Sequence, residues 1–522
     1  MRRLSPREVK PRLTNSGEIA FLDVREHGRY GEGHPFFAVS APYSRLETDI
    51  AALVPRKTAP VVLLDDNDGV AERAARRLEA LGYTDVALVE GGAPGWAAVG
   101  YTLFQGVNLP SKAFGELVEA ARHTPRITAT ELKAMRDRGE AFVLLDGRPI
   151  SEYRKMNIPG GVCCPNAELG HRLPELVPDN RTPIVVNCAG RTRSIIGAQS
   201  LIDLGVHNPV MALENGTQGW LLAGLELERG ADRIYPEKLS DDTLAASRQR
   251  AAFFLAAQRI PLVAPETLEA WRAEADRTLY LFDVRTQEEF RRNPYPGAVN
   301  APGGQLVQAT DRWVGTRGAR IVLCDDTGLR AAITAHWLRR MGHDASVLDY
   351  DVTLPVADWP IEEIGLVDDM LPRIDAAALR GLLDEDTVSL LDLNDSAAYR
   401  RGHIDGAIWA IRPRLDRLGL APDRPVVLTA AERVRAELSA VDLKELGCRS
   451  IRYLAGDASD WTAAGLKLVV SPDDPPDAKR IDFLSFVHDR HDGNLDACRE
   501  YLAWETGLIA QLDEQERGVF RP

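Results

Sequence analysis

Cysteine is scarce in this chain: there are six in 522 residues, and only Cys163 and Cys164 lie close together. Neighbouring residues rarely bridge, so a disulfide framework is excluded and the thiols read as free thiols of a reducing, cytoplasmic compartment. Long apolar runs are missing too. The longest, near Ala251–Ala257, falls far short of a bilayer, so no membrane span or membrane partner is expected. The first residues, MRRLSPREVKPRL, carry charge but no apolar h-region, and no signal peptide is read there. Positive charge is in deficit: the net charge is −14, with no basic run, which argues against nucleic acid as a partner. What remains is an ordinary globular composition, 45% hydrophobic and 27% charged, on a chain too long for one core.

The chain repeats itself four times. A strand-like run ending in Asp occurs as FLDVR at Phe21–Arg25, LLDGR at Leu144–Arg148, LFDVR at Leu281–Arg285 and LLDLN at Leu390–Asn394. A second strand follows each and reaches Asp65, Cys188, Asp325 and Ala430, 42 residues after the first Asp in three copies and 38 in the fourth. Helical patterns come next, at Ala71–Leu81, Ser194–Leu204, Ala331–Met341 and Ala436–Leu446, each closing on a glycine (Gly82, Gly205, Gly342, Gly447) suited to a helix C-cap. Trp96, Trp220 and Trp461 stand 31 or 32 residues beyond the second strand's end, and Pro355 falls near that slot in the third copy. Strands alternating with helices at this spacing predict α/β units, each a largely parallel sheet flanked by helices. The expected units are 1–108, 122–230, 259–366 and 370–470, with a helical linker over 231–258 (its helix near Asp241–Ile260) and a helical tail over 471–522.

The segment Asn187-Cys188-Ala189-Gly190-Arg191-Thr192-Arg193-Ser194 carries the chemistry. A thiol stands between a strand and a helix start, where loop N–H groups and the helix dipole favour an anion. Two arginines add positive potential, so a lowered thiol pKa is expected. The loop is Cys-x4-Arg, one residue shorter than the Cys-x5-Arg loop of cysteine phosphatases, which suits a sulfur atom better than a phosphate and disfavours phosphatase or arsenate reductase chemistry.

These pieces resemble the rhodanese (sulfurtransferase) superfamily, in the form of a tandem four-domain protein of thiosulfate sulfurtransferase type. In the second copy, LLDGRPISEYRKMNIPGG resembles the leading motif, NCAGRTRS the active-site loop and ENGTQGWLLAGLELERG the closing Gly-Trp motif. The resemblance covers the chain apart from linker and tail. It implies that Cys188 is a nucleophile that takes sulfane sulfur from thiosulfate or a related small-molecule donor. The resulting persulfide would pass its sulfur to cyanide or a thiol, with no cofactor and no metal. The amides of Ala189, Gly190, Arg191, Thr192, Arg193 and Ser194 would bind the anion, with Arg191 and Arg193 balancing its charge. Asp146, Arg148 and Trp220 are expected to support the loop. Related two-domain thiosulfate enzymes carry arginine where this copy has Glu152, a departure that speaks against thiosulfate as the natural donor.

Asp65, Asp325 and Ala430 cannot form a persulfide, so the other three copies are expected to be inactive as sulfurtransferases. Cys324 aligns with Asn187, one residue early, and reads as a buried strand cysteine. Cys163 or Cys164 as a sulfur relay, against ordinary packing, is the remaining thiol question; Cys448 and Cys498 read as packing residues. His488 and His491, with Asp489 and Asp492, lack a further ligand for a metal and read as a solvated helix end. A binding or regulatory protein, with Cys188 as a redox or persulfide sensor, is the alternative from another class. A homodimer is compatible with the inactive copies and the tail.

Overall fold

The computed structural model describes residues 1–349, 371–486 and 488–522. Four parallel sheets form, one per copy. In the second unit they are β1 (Arg126–Ile127), β2 (Val143–Asp146), β3 (Val162–Cys163), β4 (Ile184–Asn187) and β5 (Val210–Leu213), in the order β1-β5-β4-β2-β3. β4 is buried along its whole length, as an apolar run with helices on both faces should be. The pairing is in register across the copies. Asp146 lies opposite Asn187, Asp23 opposite Leu64, Asp283 opposite Cys324 and Asp392 opposite Thr429. Cys188, Asp65, Asp325 and Ala430 therefore occupy one position, the first residue past the second strand.

The helices named below are α1 (Leu109–Arg122), α2 (Asn166–Leu176), α3 (Thr192–Asp203), α4 (Gly216–Leu222), α5 (Asp241–Gln258), α6 (Leu329–Arg340) and α7 (Leu495–Gln511). α3 begins two residues before the predicted Ser194. Gly205 closes its C-terminal turn at φ +73°, where a side chain would be strained.

One interval gains an assignment and two expectations need correction. The interval between the first two units, left unassigned by the repeat, is the 14-residue helix α1. The linker is helical only from Asp241. Before that, the chain runs beside β3, with the N–H of Cys163 donating to the carbonyl of Arg233 at 2.9 Å, so this stretch completes the second unit. Among the described residues the tail is α-helical only over α7 and Glu514–Gly518; Pro472, Pro475 and Pro476 deny the preceding stretch the N–H groups of a continuous helix. The third unit's tryptophan slot with Pro355, and its junction with the fourth, lie outside the described residues.

The units are not beads on a string. Thr316–Arg317 of the third unit joins the first unit's sheet antiparallel to Ile19–Asp23. One hydrophobic core contains Phe21 and Trp96 of the first unit, Ile195 and Ile196 of α3, Phe254 of α5, Phe282 and Leu338 of the third unit, and Leu508 and Phe520 of the tail. The fourth unit docks on the first through the buried Arg412 guanidinium, which donates to Glu47 at 2.6 and 2.7 Å and to Asp442 at 3.0 Å. No helix among the described residues is long and apolar enough to cross a membrane.

Candidate active site

β4 delivers Cys188 to the floor of a loop that turns directly into α3. The loop is held from below. The Asp146 carboxylate accepts from the Arg148 Nε at 2.9 Å and Nη2 at 2.7 Å, and from Asn187 Nδ2 at 3.1 Å. The start of α4 holds it from the side: the N–H of Thr217 donates to the Cys188 carbonyl at 2.8 Å and that of Gln218 to the Ala189 carbonyl at 3.1 Å. Gly216 permits this approach, since it sits at φ +55° and a Cβ there would lie 2.2 Å from the Cys188 oxygen. Trp220 is buried under Arg136 and donates from Nε1 to the Glu226 carbonyl, which is a packing role. Asp146 and Arg148 thus lie beneath the end of β4, and Trp220 lies within α4.

The degenerate copies show what the loop holds. In the first unit the Asp65 carboxylate folds into its own loop and accepts from the N–H of Asn67 at 2.9 Å and of Ala71 at 3.0 Å. In the third, Asp325 accepts from the N–H groups of Thr327, Arg330 and Ala331, each at 3.4 Å. The matching amides in the second unit belong to Gly190, Arg193 and Ser194. Two units fill the amide cradle with a built-in carboxylate; the second places a thiol there.

The electrostatics differ from the expectation of a lowered thiol pKa. Burial is the largest influence and pushes the Cys188 thiol up; Arg193 and a hydrogen bond to Ser194 pull it down, and Glu505 raises it further. Cys188 is 2% exposed, and its Sγ lies 3.4 Å from Ser194 Oγ. The two arginines are not equivalent. Arg191 is turned into a buried pair with Glu116, Nε to Oε1 at 2.6 Å and Nη2 to Oε2 at 2.9 Å, with Glu119 beside it. Burial pushes Glu116 up to about 7 against the pull of Arg191. Arg193 is the cation that acts on the thiol, but Glu152 grips it at 2.7 and 2.8 Å and offsets its charge. Thr192 Oγ1 donates to Glu505 Oε1 at 2.7 Å.

Sequence reasoning missed the surroundings. α1 brings Glu116 to Arg191, and its Lys112 is buried beneath the tail. Lys112 Nζ lies 4.5 Å from the Trp504 ring centroid and 5.2 Å from that of Tyr501, and burial pushes its pKa down to about 8. α7 lays Tyr501 and Glu505 over Gly190, where a Cβ would lie 3.1 Å from Tyr501 Cε1 and 3.0 Å from Glu505 Oε2. None of these residues falls in a repeat, so periodicity carried no signal for them; the apolar residues of YLAWETGLIA were the one local hint of a docked face.

Cys163 and Cys164 are fully buried; burial pushes the first up to about 12 and the second well above its ordinary value. Cys163 donates from Sγ to the Arg148 carbonyl at 3.4 Å. Cys324 is buried among Val263, Leu281 and Val322. Among the described residues no three His, Cys, Asp or Glu side chains gather as metal ligands.

The model of the rhodanese-like domain matches residues 5–99, 128–223, 264–353 and 375–464. The chain belongs to the rhodanese-like family. A solved thiosulfate sulfurtransferase from Pseudomonas aeruginosa is 42% identical, with 100% of this chain and 99% of that one covered at a TM-score of 0.90. A curated HTH-type transcriptional regulator of Mycobacterium tuberculosis is 38% identical over 105 residues, 20% of this chain and 45% of the regulator's length. The tandem fold is therefore shared along the whole chain with the first relative, while the likeness to the second spans 105 residues.

Proposed function

We propose that this rhodanese-like protein transfers sulfane sulfur through a persulfide on Cys188, with the first, third and fourth units inactive in that reaction. The Cys188 thiolate attacks the outer sulfur of thiosulfate or a related donor. A new S–S bond forms to Cys188, the donor's S–S bond breaks, and sulfite leaves with the electron pair. A thiol or cyanide then attacks the outer sulfur and returns the pair to Cys188. The amides of Gly190, Arg193 and Ser194 hold the negative outer sulfur, and Arg193 is the cation that draws the thiol's pKa down. Arg191, bound to Glu116, shapes the loop and leaves anion binding to these groups.

One observation carries this reading: of four registered strand ends, the second presents a cysteine over amides whose counterparts in two other units bind a carboxylate. The relative named as a thiosulfate sulfurtransferase, alike over the full chain, supports it. The test is intact mass after incubation with thiosulfate and other sulfane donors. One added sulfur atom on the natural chain, absent in Cys188→Ala, is the expected result; no gain with any donor sinks the reading.

A further inference from the structure

Three buried polar atoms beside Cys188 have no protein partner. Glu505 on α7 is 1% exposed and uses Oε1 for Thr192, while its Oε2 accepts nothing. Gln218 on α4 is 2% exposed, and neither its Nε2 nor its Oε1 is hydrogen-bonded. Oε2 of Glu505 and Nε2 of Gln218 converge on Gly190, at 3.0 and 3.6 Å from where its Cβ would stand. Unpaired polar atoms of this kind are costly in a protein interior unless a ligand group completes them.

Their chemistry selects that ligand. A carboxylate oxygen can only accept, so it needs an N–H or ammonium donor; thiosulfate, a dianion with acceptors alone, offers none and is repelled at contact distance. Glu152 offsets Arg193 and Glu116 offsets Arg191, while the buried Lys112 of α1 offsets part of the charge of Glu505. We propose that Glu505, with Gln218, forms a subsite that sorts the sulfur carriers of Cys188 by charge. It disfavours dianionic donors and favours an acceptor that carries an ammonium group close to its thiol. The inference rests on the sulfur-transfer reading above. In the step it governs, the acceptor's thiol releases its proton to solvent and its sulfur attacks the outer sulfur of the persulfide. A new S–S bond forms, the bond from Cys188 to the outer sulfur breaks, and the electron pair returns to Cys188. Because Cys188 is closed over, α7 must draw back from Gly190 to admit a carrier, which then meets Glu505 of α7.

The experiment uses the full chain. Loading by thiosulfate is timed by intact mass. Discharge of the loaded protein is then timed with cysteamine and with 3-mercaptopropionate, thiols of similar size and opposite charge. Each thiol's own reactivity is common to natural chain and variant, so the change in their rate ratio isolates the side chain. Glu505→Gln keeps the shape and an acceptor for Thr192. It is expected to load faster with thiosulfate and to lose preference for cysteamine by about tenfold. Gln218→Met, which keeps the volume, is expected to shift the same ratio by a smaller factor and guards against a folding defect in the first variant. Loading in the natural chain with both ratios unmoved overturns the subsite and leaves sulfur transfer standing. No loading in the natural chain with any donor overturns both.

Discussion

At the residue scale, Cys188 is governed by a contest between burial and one cation. The thiolate is the attacking form, and burial lifts the thiol above its ordinary value of 9.0. The thiolate fraction is therefore small at neutral pH and grows as pH rises through the raised pKa. Sulfur loading is expected to climb from neutral pH past 9.0, read as initial rate of mass gain; a plateau already reached at neutral pH would show an activated thiol. Glu152 holds the balancing cation. Glu152→Gln leaves Arg193 free to act on Cys188, so the loading curve is expected to move to lower pH and the neutral rate to rise severalfold. An unmoved curve would mean that Arg193 is not the charge the thiol feels. The proposed nucleophile, its loop and its three counterparts were legible in the sequence because they repeat at fixed spacing. The grip of Glu152 on Arg193, and of Glu116 on Arg191, depends on which side chains the fold brings together.

At the element scale, α7 is the piece that turns an exposed loop into a closed site. It is held by Trp504, whose Nε1 donates to the Gln105 carbonyl at 3.1 Å and whose ring fills the space left by Gly106, and by Leu508 in the shared core. Phe520 anchors the chain end against Phe36 and Phe114. Trp504→Ala should loosen the cover by about 2 kcal/mol and speed alkylation of Cys188 by iodoacetamide at least tenfold, with global stability changed less. Phe520→Ala opens a cavity in the core that joins three units and should cost about 3–5 kcal/mol of unfolding free energy, visible as a lower thermal midpoint. The repeat located both strands of each unit and the helix after them. It was silent on α1 and α7, which belong to no repeat and owe their place to tertiary packing.

At the scale of the whole molecule, the degenerate loops have structural work. Arg330, the third unit's counterpart of Arg193, is fully buried and donates from Nη1 to Glu168 of α2 at 2.9 Å and to Glu289 at 2.6 Å. Arg172 donates from Nη2 to Glu289 at 2.6 Å, so an ionic cluster joins the second and third units. Burial alone would raise the Glu289 carboxyl, but Arg330 and Arg172 bring it down to about 2. A depressed carboxyl contributes stability that is full above its ordinary value of 4.5 and is lost as pH falls towards 2. The interface between these units should accordingly weaken across that window. Amide exchange at α2 and α6 would rise on acidification in the natural chain. Glu289→Gln should flatten that pH dependence; an equally steep dependence in the variant would exclude Glu289 as its source.

Strand ends at Asp146 and Cys188, helix ends at Gly205 and its counterparts, and the one cysteine among four equivalent positions are local facts. Backbone period, capping and spacing express them without reference to distant residues, and so the sequence by itself determined the α/β units and the position of the proposed nucleophile. The thiol's charge state, the closed site and the polar pair over Gly190 were decided only by the tertiary structure. They depend on Glu505, 317 residues from Cys188, and on Lys112 and Glu116 from a helix outside the repeat. Desolvation and charge pairing act between whatever the fold brings into contact, and no spacing along the chain encodes them.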